Sequence, residues 1–332
     1  MQTKEIKKNK KGFFDYFPAP SFLKMSSVGL ALSDDAIHII ELLGNPGRYR
    51  LGHHSEVALQ KGVIQGGYIY DIQALGRVLR ELKNRKNLSF VRASLPEEKG
   101  YVFIIRIPHL QYEEMRSSIE FKIEENAPVK LSEVIFDFNI IPGSLDANNT
   151  VEVSVSVLPT KVVEAYVDAL GSADIVPVAF EVESQAIARA IKEKEETDVF
   201  AILNLSPKKS GIYIVKKGIV VFTSTVTFSE GSEKTPEVFL SEELQRVILF
   251  WTTRDEEGMK QSGHISMVKV VGNNPDFEKI YSYLSNELTI PIKVANVWVN
   301  TFSLDAHIPE IKKEDSVRFA SAIGLALPVD KE

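Results

Sequence analysis

The sequence predicts an α/β protein built from two related halves, and three features point to it. Residues 27–43, SVGLALSDDAIHIIELL, and 199–226, VFAILNLSPKKSGIYIVKKGIVVFTSTV, each run an apolar strand into a short polar turn and out into another apolar strand. Each turn opens on Leu-Ser, at Leu32-Ser33 and at Leu205-Ser206. Strand and helix signals alternate through both halves, with one hairpin in each, which is the α/β pattern. A strand–turn–strand placed once in each half is able to build two phosphate loops facing across a cleft.

The elements follow in order. Residues 25–41 read as two strands around the Ser33-Asp34-Asp35 turn, and a third strand covers 47–59 after the Gly44-Asn45-Pro46-Gly47 break. Asp71 is placed to cap a helix whose Leu75, Val78, Leu79 and Leu82 recur at helical spacing. Residues 90–95 form a buried strand ended by Pro96. A small α+β block follows: a strand at 101–107, a helix at 110–126 with Met115, Ile119 and Ile123 on one face, and strands at 134–141 and 151–158. The last of these, VEVSVSVL, alternates strictly, so one packed and one polar face are expected. Helices at 160–170 and 184–191 flank a strand at 175–181. The charged run 192–198, KEKEETD, separates the halves. In the second half, helices at 237–251, 276–288 and 315–325 accompany strands at 265–271 and 292–295.

Composition narrows the function. The chain has 332 residues, 44% hydrophobic and 25% charged, enough for two domains with their own cores. It has no cysteine, which excludes disulfides, thiolate zinc sites and a cysteine nucleophile. No apolar run approaches the ~20 residues of a membrane span. The basic start runs into FFDYFPAP rather than a continuous apolar segment, so no signal peptide is expected and the protein is placed in the cytoplasm. Net charge is −6, which gives no support for a nucleic-acid partner. The charge is uneven, with residues 1–24 at +4 and the remainder at −10. Within that tail, lysines stand beside Phe13, Phe14, Tyr16 and Phe17. The pairing suits an anionic membrane surface. A polar tail whose aromatics pack on the first domain is the simpler expectation, and Pro18 and Pro20 break any helix there.

Several stretches together resemble the type IV pilus assembly protein PilM family, within the actin-like ATPase superfamily. They are FFDYF at 13–17, Gly66-Gly67-Tyr68-Ile69-Tyr70-Asp71, Ala93-Ser94-Leu95-Pro96, Arg106-Ile107-Pro108, EENAP at 124–128, VSVLPTK at 155–161 and ESQAIARA at 183–190. The resemblance spans about Phe13 to Leu327. It implies an actin-like (ribonuclease H-like) α/β fold of duplicated domains. The expected division is a tail at 1–24, a first domain at 25–192 with an α+β insert at 88–158, and a second domain at 193–332. It further implies a cytoplasmic platform at the inner face of the membrane. That platform binds the N-terminal peptide of the inner-membrane protein PilN, in a groove between the first domain and the insert, and links to the pilus motor ATPases. Strands around 90–95 and 101–107 are the expected groove lining.

The family's phosphate loops read Asp-Ile-Gly, because backbone N–H groups must approach phosphate and a carboxylate must hold Mg²⁺ through its waters. Here the first triplet aligns with Ala31-Leu32-Ser33, followed by two negative charges, Asp34 and Asp35. The second aligns with Asn204-Leu205-Ser206, followed by Pro207, which has no N–H to offer. Lys208 and Lys209 offer positive charge, though a solvated hairpin turn explains them as well. At the base site, Gly272-Asn273-Asn274-Pro275 keeps one glycine of the family's pair. Gly231 lies 14 positions before Gln245, so the fourth subdomain, one wall of the adenine pocket, is expected to be reduced. The degenerate nucleotide site is thus Ser33, Asp34, Asp35, Asn204, Ser206, Lys208, Gly272 and Asn273, with no cofactor expected and Mg-ATP as the alternative.

Other chemistry is weak. The six His show no metal-ligand spacing, and His53-His54 on a strand point to opposite faces. No G-x-S-x-G, P-loop or GxGxxG occurs. Three function classes stay open: a pilus scaffold without ATP hydrolysis, an active actin-fold ATPase or FtsA-like filament former, and a type II secretion platform component. An ATPase needs an acidic magnesium ligand and a glycine turn in both halves.

Overall fold

The computed structural model describes residues 27–45, 48–86, 88–193, 199–228, 234–253, 263–302 and 308–329. The basic and aromatic tail, Pro46 and Gly47 of the strand break, residues 194–198 of the charged run, Gly231 and His307 lie outside the described residues.

The first half holds β1 (Ser27–Leu32), β2 (Ala36–Leu43), β3 (Arg50–Ala58), the short pair β4 (Ile64–Gln65) and β5 (Tyr68–Ile69), α1 (Ile72–Lys86) and β6 (Phe90–Leu95). The insert adds β7 (Tyr101–Pro108), α2 (Tyr112–Asn126), β8 (Val134–Ile140) and β9 (Thr150–Pro159). Then come α3 (Thr160–Gly171), β10 (Val176–Val182) and α4 (Glu183–Ile191). The second half is β11 (Val199–Leu205), β12 (Lys209–Lys216), β13 (Ile219–Thr227), α5 (Pro236–Thr253), β14 (Ile265–Gly272), α6 (Phe277–Glu287), β15 (Ile292–Val294), α7 (Lys313–Ser316) and α8 (Ala320–Ala326).

Two five-stranded sheets share one topology. The first runs β3-β2-β1-β6-β10 and the second β13-β12-β11-β14-β15. In each, the first three strands are an antiparallel meander and the last two join in parallel. The central strand β11 is buried along its whole length, as expected for a strand covered on both faces. Asp71 caps α1 as expected, its Oδ1 accepting the Ala74 N–H at 2.8 Å. The fold is the actin-like ATPase fold, two mixed sheets with a small antiparallel insert sheet, β7-β9-β8. Between β13 and β14 the described residues hold α5 alone.

Three features depart from the sequence expectation. Residues 90–95, expected at the start of the insert, are an interior strand of the first sheet between β1 and β10, so the insert sheet begins at Tyr101. The polar face of β9 is not solvated. Glu152 and Ser154 are buried against the second half, where Lys216 Nζ meets Glu152 at 2.8 Å and Ser154 Oγ donates to the Val220 carbonyl at 2.6 Å. The closing helix is broken by a 3₁₀ turn at Val317–Phe319, where Phe319 turns inward and its ring meets His38 edge-on at 5.2 Å.

The last segment, α8, is buried on every side. It crosses back from the second half to pack on β1 and α4. Small residues make that possible: a Cβ on Gly324 would lie 1.7 Å from the Ala186 carbonyl oxygen, so only glycine lets the two helices approach this closely. A hydrophobic cluster including Ile40, Leu42, Ala186, Phe200, Tyr213 and Ile323 fills the space between the sheets.

Candidate functional site

The two hairpin turns meet across the interdomain cleft, and each is organised by its own residues. In the first, the Ser33 N–H donates to the Ala36 carbonyl at 3.0 Å, and Ser33 Oγ accepts the Ala36 N–H at 3.2 Å. Asp34 turns to the β4–β5 loop, where its two oxygens accept the N–H groups of Gly66 and Gly67 at 2.7 and 3.1 Å. Asp35 points across the cleft and accepts a hydrogen bond from Asn273 Nδ2 at 2.6 Å.

In the second turn, the Ser206 N–H donates to the Lys209 carbonyl at 3.0 Å, and Pro207 and Lys208 face solvent. Asn204 is buried, with its Nδ2 3.5 Å from the Tyr213 hydroxyl. Gly272 has φ +121°, and a Cβ there would lie 2.1 Å from the Leu205 carbonyl oxygen. Glycine therefore lets the β14–α6 loop collapse onto this turn. Asn273 and Asn274 both donate their backbone N–H to Leu205 O, at 2.8 and 3.1 Å, and Asn274 Nδ2 donates to Ser206 O at 2.7 Å.

Lys209 is the cation that reaches across. Its Nζ bonds Glu98 and stands 3.6 Å from Asp34 Oδ1, with 16% of its side chain exposed. Burial works against its charge, yet Glu98 and Asp34 raise its pKa above the usual lysine value. Glu97, next to Glu98, is fully enclosed and accepts the Ser184 N–H at 3.0 Å. Burial raises the Glu97 pKa against that bond. Glu183, at the start of α4, is pushed up to about 7 by burial; Lys209 opposes the shift, and Glu98, Glu97 and Asp35 add to it.

All eight residues of the expected nucleotide site except Lys208 and Asn204 are thus drawn into one bonded seam. The sequence reading missed Glu97, Glu98 and Glu183 as cleft residues. Their signal was Pro96-Glu97-Glu98, a strand end followed by two acids, and the acid opening the helix at 183. Chemically the seam is poor ground for a polyphosphate. The N–H groups of Gly66, Gly67, Asn273 and Asn274 already have carboxylate or carbonyl acceptors. Asp34 and Glu98 already hold Lys209, Asp35 faces the same cleft, and like charge repels an anion. Among the described residues no three His, Asp or Glu are placed to share a metal ion.

A second candidate surface lies at the free edge of the first sheet. Val91, Ala93 and Leu95 of β6 face the core, so the lining expected from 90–95 reduces to Phe90, 46% exposed beside its partner Val176 at 50%. The edge itself is β10, where Val178 is 55% exposed and a bulge falls between Pro177 and Ala179. β7 is one edge strand of the insert sheet; it pairs with β9 and lies beside β13 of the second half. The outer strand of the insert on this side is β8. Asp137 of β8 stands close enough to raise the pKa of Glu181 on β10; burial is the larger cause, and Arg189 and Arg92 oppose both.

A family model described as type IV pilus assembly protein PilM matches residues 29–241. No curated relative matches. Among solved structures, a chain of a PilM–PilN type IV pilus biogenesis complex is similar at 20% identity and TM-score 0.75, over 91% of this chain and 98% of that one. The ethanolamine utilization protein EutJ from Carboxydothermus hydrogenoformans is similar at 14% identity and TM-score 0.47, over 92% and 91% of the two chains. The cytoplasmic domain of EpsL, from the type II secretion system of Vibrio cholerae, is similar at 10% identity and TM-score 0.46, over 92% and 97%. The PilM match spans more than half the sequence, and the chain belongs to that family.

Proposed function

We propose that this PilM-family chain is a cytoplasmic scaffold of a type IV pilus assembly machine, which captures the N-terminal peptide of a PilN-like inner-membrane protein and does not hydrolyse ATP. The observation that carries this is the family match at 29–241, a span that contains the first sheet with its β10 edge and the whole insert. A solved relative of the same overall fold comes from a complex described as PilM–PilN, which supports the same partner. The β10 edge offers unpaired backbone groups beside exposed Phe90, Val176 and Val178, and an extended peptide adds to such an edge through main-chain bonds and apolar anchors. The protein then sits at the inner face of the membrane through its partner and passes contact on to the motor ATPases.

The absence of ATPase activity is supported by the seam. Hydrolysis needs a held metal and free N–H groups at the phosphates, and here both turns bond to each other instead. The test is a fluorescence-anisotropy titration with the labelled N-terminal peptide of the PilN-type protein from the same organism. Saturable binding that weakens at least about tenfold in V178D is expected. No binding by the unmutated chain would overturn the partner assignment. Calorimetric titration with Mg-ATP, expected to give no heat of binding, separately decides the nucleotide part.

A further inference from the structure

We propose that Lys209 is a built-in cation that closes the interdomain cleft, and that its release lets the insert move relative to the first domain's sheet. The first step is the seam's geometry. Lys209 belongs to the second domain, and its partners Glu98 and Asp34 belong to the first. Asn273 of the second domain holds Asp35 of the first in the same way. The two domains are therefore joined at the cleft by side chains of both halves: Asp34, Asp35 and Glu98 on one side, Lys209 and Asn273 on the other.

Both carboxylates at Lys209 lie mostly out of solvent, at 17% and 12% side-chain exposure for Asp34 and Glu98. A buried carboxylate without a cation is costly, so the acids need Lys209 to stay in the closed cleft. Glu97, on the cleft floor, is held by Ser184 and Thr223 of the two halves, so it too bridges the domains.

The second step is mechanical. The insert is covalently part of the first half, but it is bonded to the second. Glu152 of β9 meets Lys216 of β12 at 2.8 Å, and Arg106 of β7 meets the same carboxylate at 2.9 Å. Ser154 holds the Val220 carbonyl at 2.6 Å. The edge strand β10, in contrast, is fixed in the first sheet by β6. Opening the cleft carries β12 and β13 away from the first sheet. The insert follows through Glu152 and Ser154, so the spacing between β8 and β10 changes. The claim that this spacing controls peptide capture rests on the function proposed above; the claim that Lys209 sets it does not.

The chain has no cysteine, so introduced pairs report distances by electron spin resonance without background. K61C with E278C spans the cleft, and N139C with D168C spans the insert and first domain. With Lys209 intact, each pair is expected to give one narrow distance, unchanged by Mg-ATP. K209Q is expected to lengthen or broaden both, and K209R to keep both near the parent values. Should K209Q fail to fold, N273D, which sets a carboxylate against Asp35, carries the same expectation. Unchanged distances in whichever of these variants folds would overturn the latch. So would a cleft distance in the unmutated chain that shortens on adding Mg-ATP. A change at the cleft pair without one at the insert pair would overturn the coupling. Peptide binding measured on the same variants is the separate readout: loss of capture by the parent chain sinks the partner assignment and leaves the distances standing.

Discussion

The two hairpin turns occupy the same place in sheets of the same topology, yet they carry opposite charge. The first presents Asp34 and Asp35, and the second Lys208 and Lys209. Two equivalent turns with free N–H groups clamp a phosphate between them. Two turns of opposite charge bind each other. The shared topology sets the two turns in the same place, and side chains of opposite charge join them as a seam. The turns also differ in backing. The second is pressed by the Gly272 loop, whose Asn273 and Asn274 both bond Leu205 O, whereas the matching strand end in the first sheet is Leu95-Pro96.

The largest expected break in the comparison is at Gly272. G272V places a Cβ 2.1 Å from the Leu205 carbonyl, at a φ that disfavours side chains, and has no counterpart in the first sheet. A loss of about 3 kcal/mol or more is expected in urea unfolding. Next, the two acids of the first turn should separate. D34A removes the acceptor of two backbone N–H groups and a partner of Lys209, and is expected to cost about 2–3 kcal/mol. D35A removes the acceptor for Asn273 and is expected to cost about 1 kcal/mol. Equal losses for the two would refute the division of labour between holding the β4–β5 loop and bridging the cleft.

A further effect is read as a pH slope. Burial raises the Glu183 pKa from 4.5 to about 7, so the folded protein binds the proton more tightly than the unfolded chain between those values. Stability is then fullest below pH 4.5 on account of this group and falls as pH rises toward 7. E183Q is expected to flatten that window and to be more stable than the parent at pH 8 by roughly 1–2 kcal/mol. Parallel pH profiles for parent and E183Q would show that burial does not raise the Glu183 pKa.

Much of the fold was legible because its signals are local. The strand-turn-strand runs, the Asp71 cap and the helical spacing of Leu75, Leu79 and Leu82 depend on neighbours in sequence, and all appear as read. The β4–β5 pair was not read, since two-residue strands leave too short a pattern. The polar face of β9 was read as polar, but its burial was not, for a different reason. Alternation reports which side chains are polar, but not whether Lys216 and Val220 of a distant segment cover them. At the site, the loss of acid and glycine at Ala31, Ser33, Asn204 and Ser206 was plain in the sequence. That Asp34 grips Gly66 and Gly67, or that Lys209 is drawn to Glu98, was not, because these contacts join residues 32 to 111 positions apart.

By itself, then, the sequence determined the two related halves and the residues that stand at both turns, because hydrophobic period and residue identity are written along the chain. Only the tertiary structure decided what the altered turns do instead. Whether an aspartate repels an anion or holds an asparagine of the other domain depends on which groups the fold brings beside it, because hydrogen bonds need contact at about 3 Å and ion pairs weaken with distance.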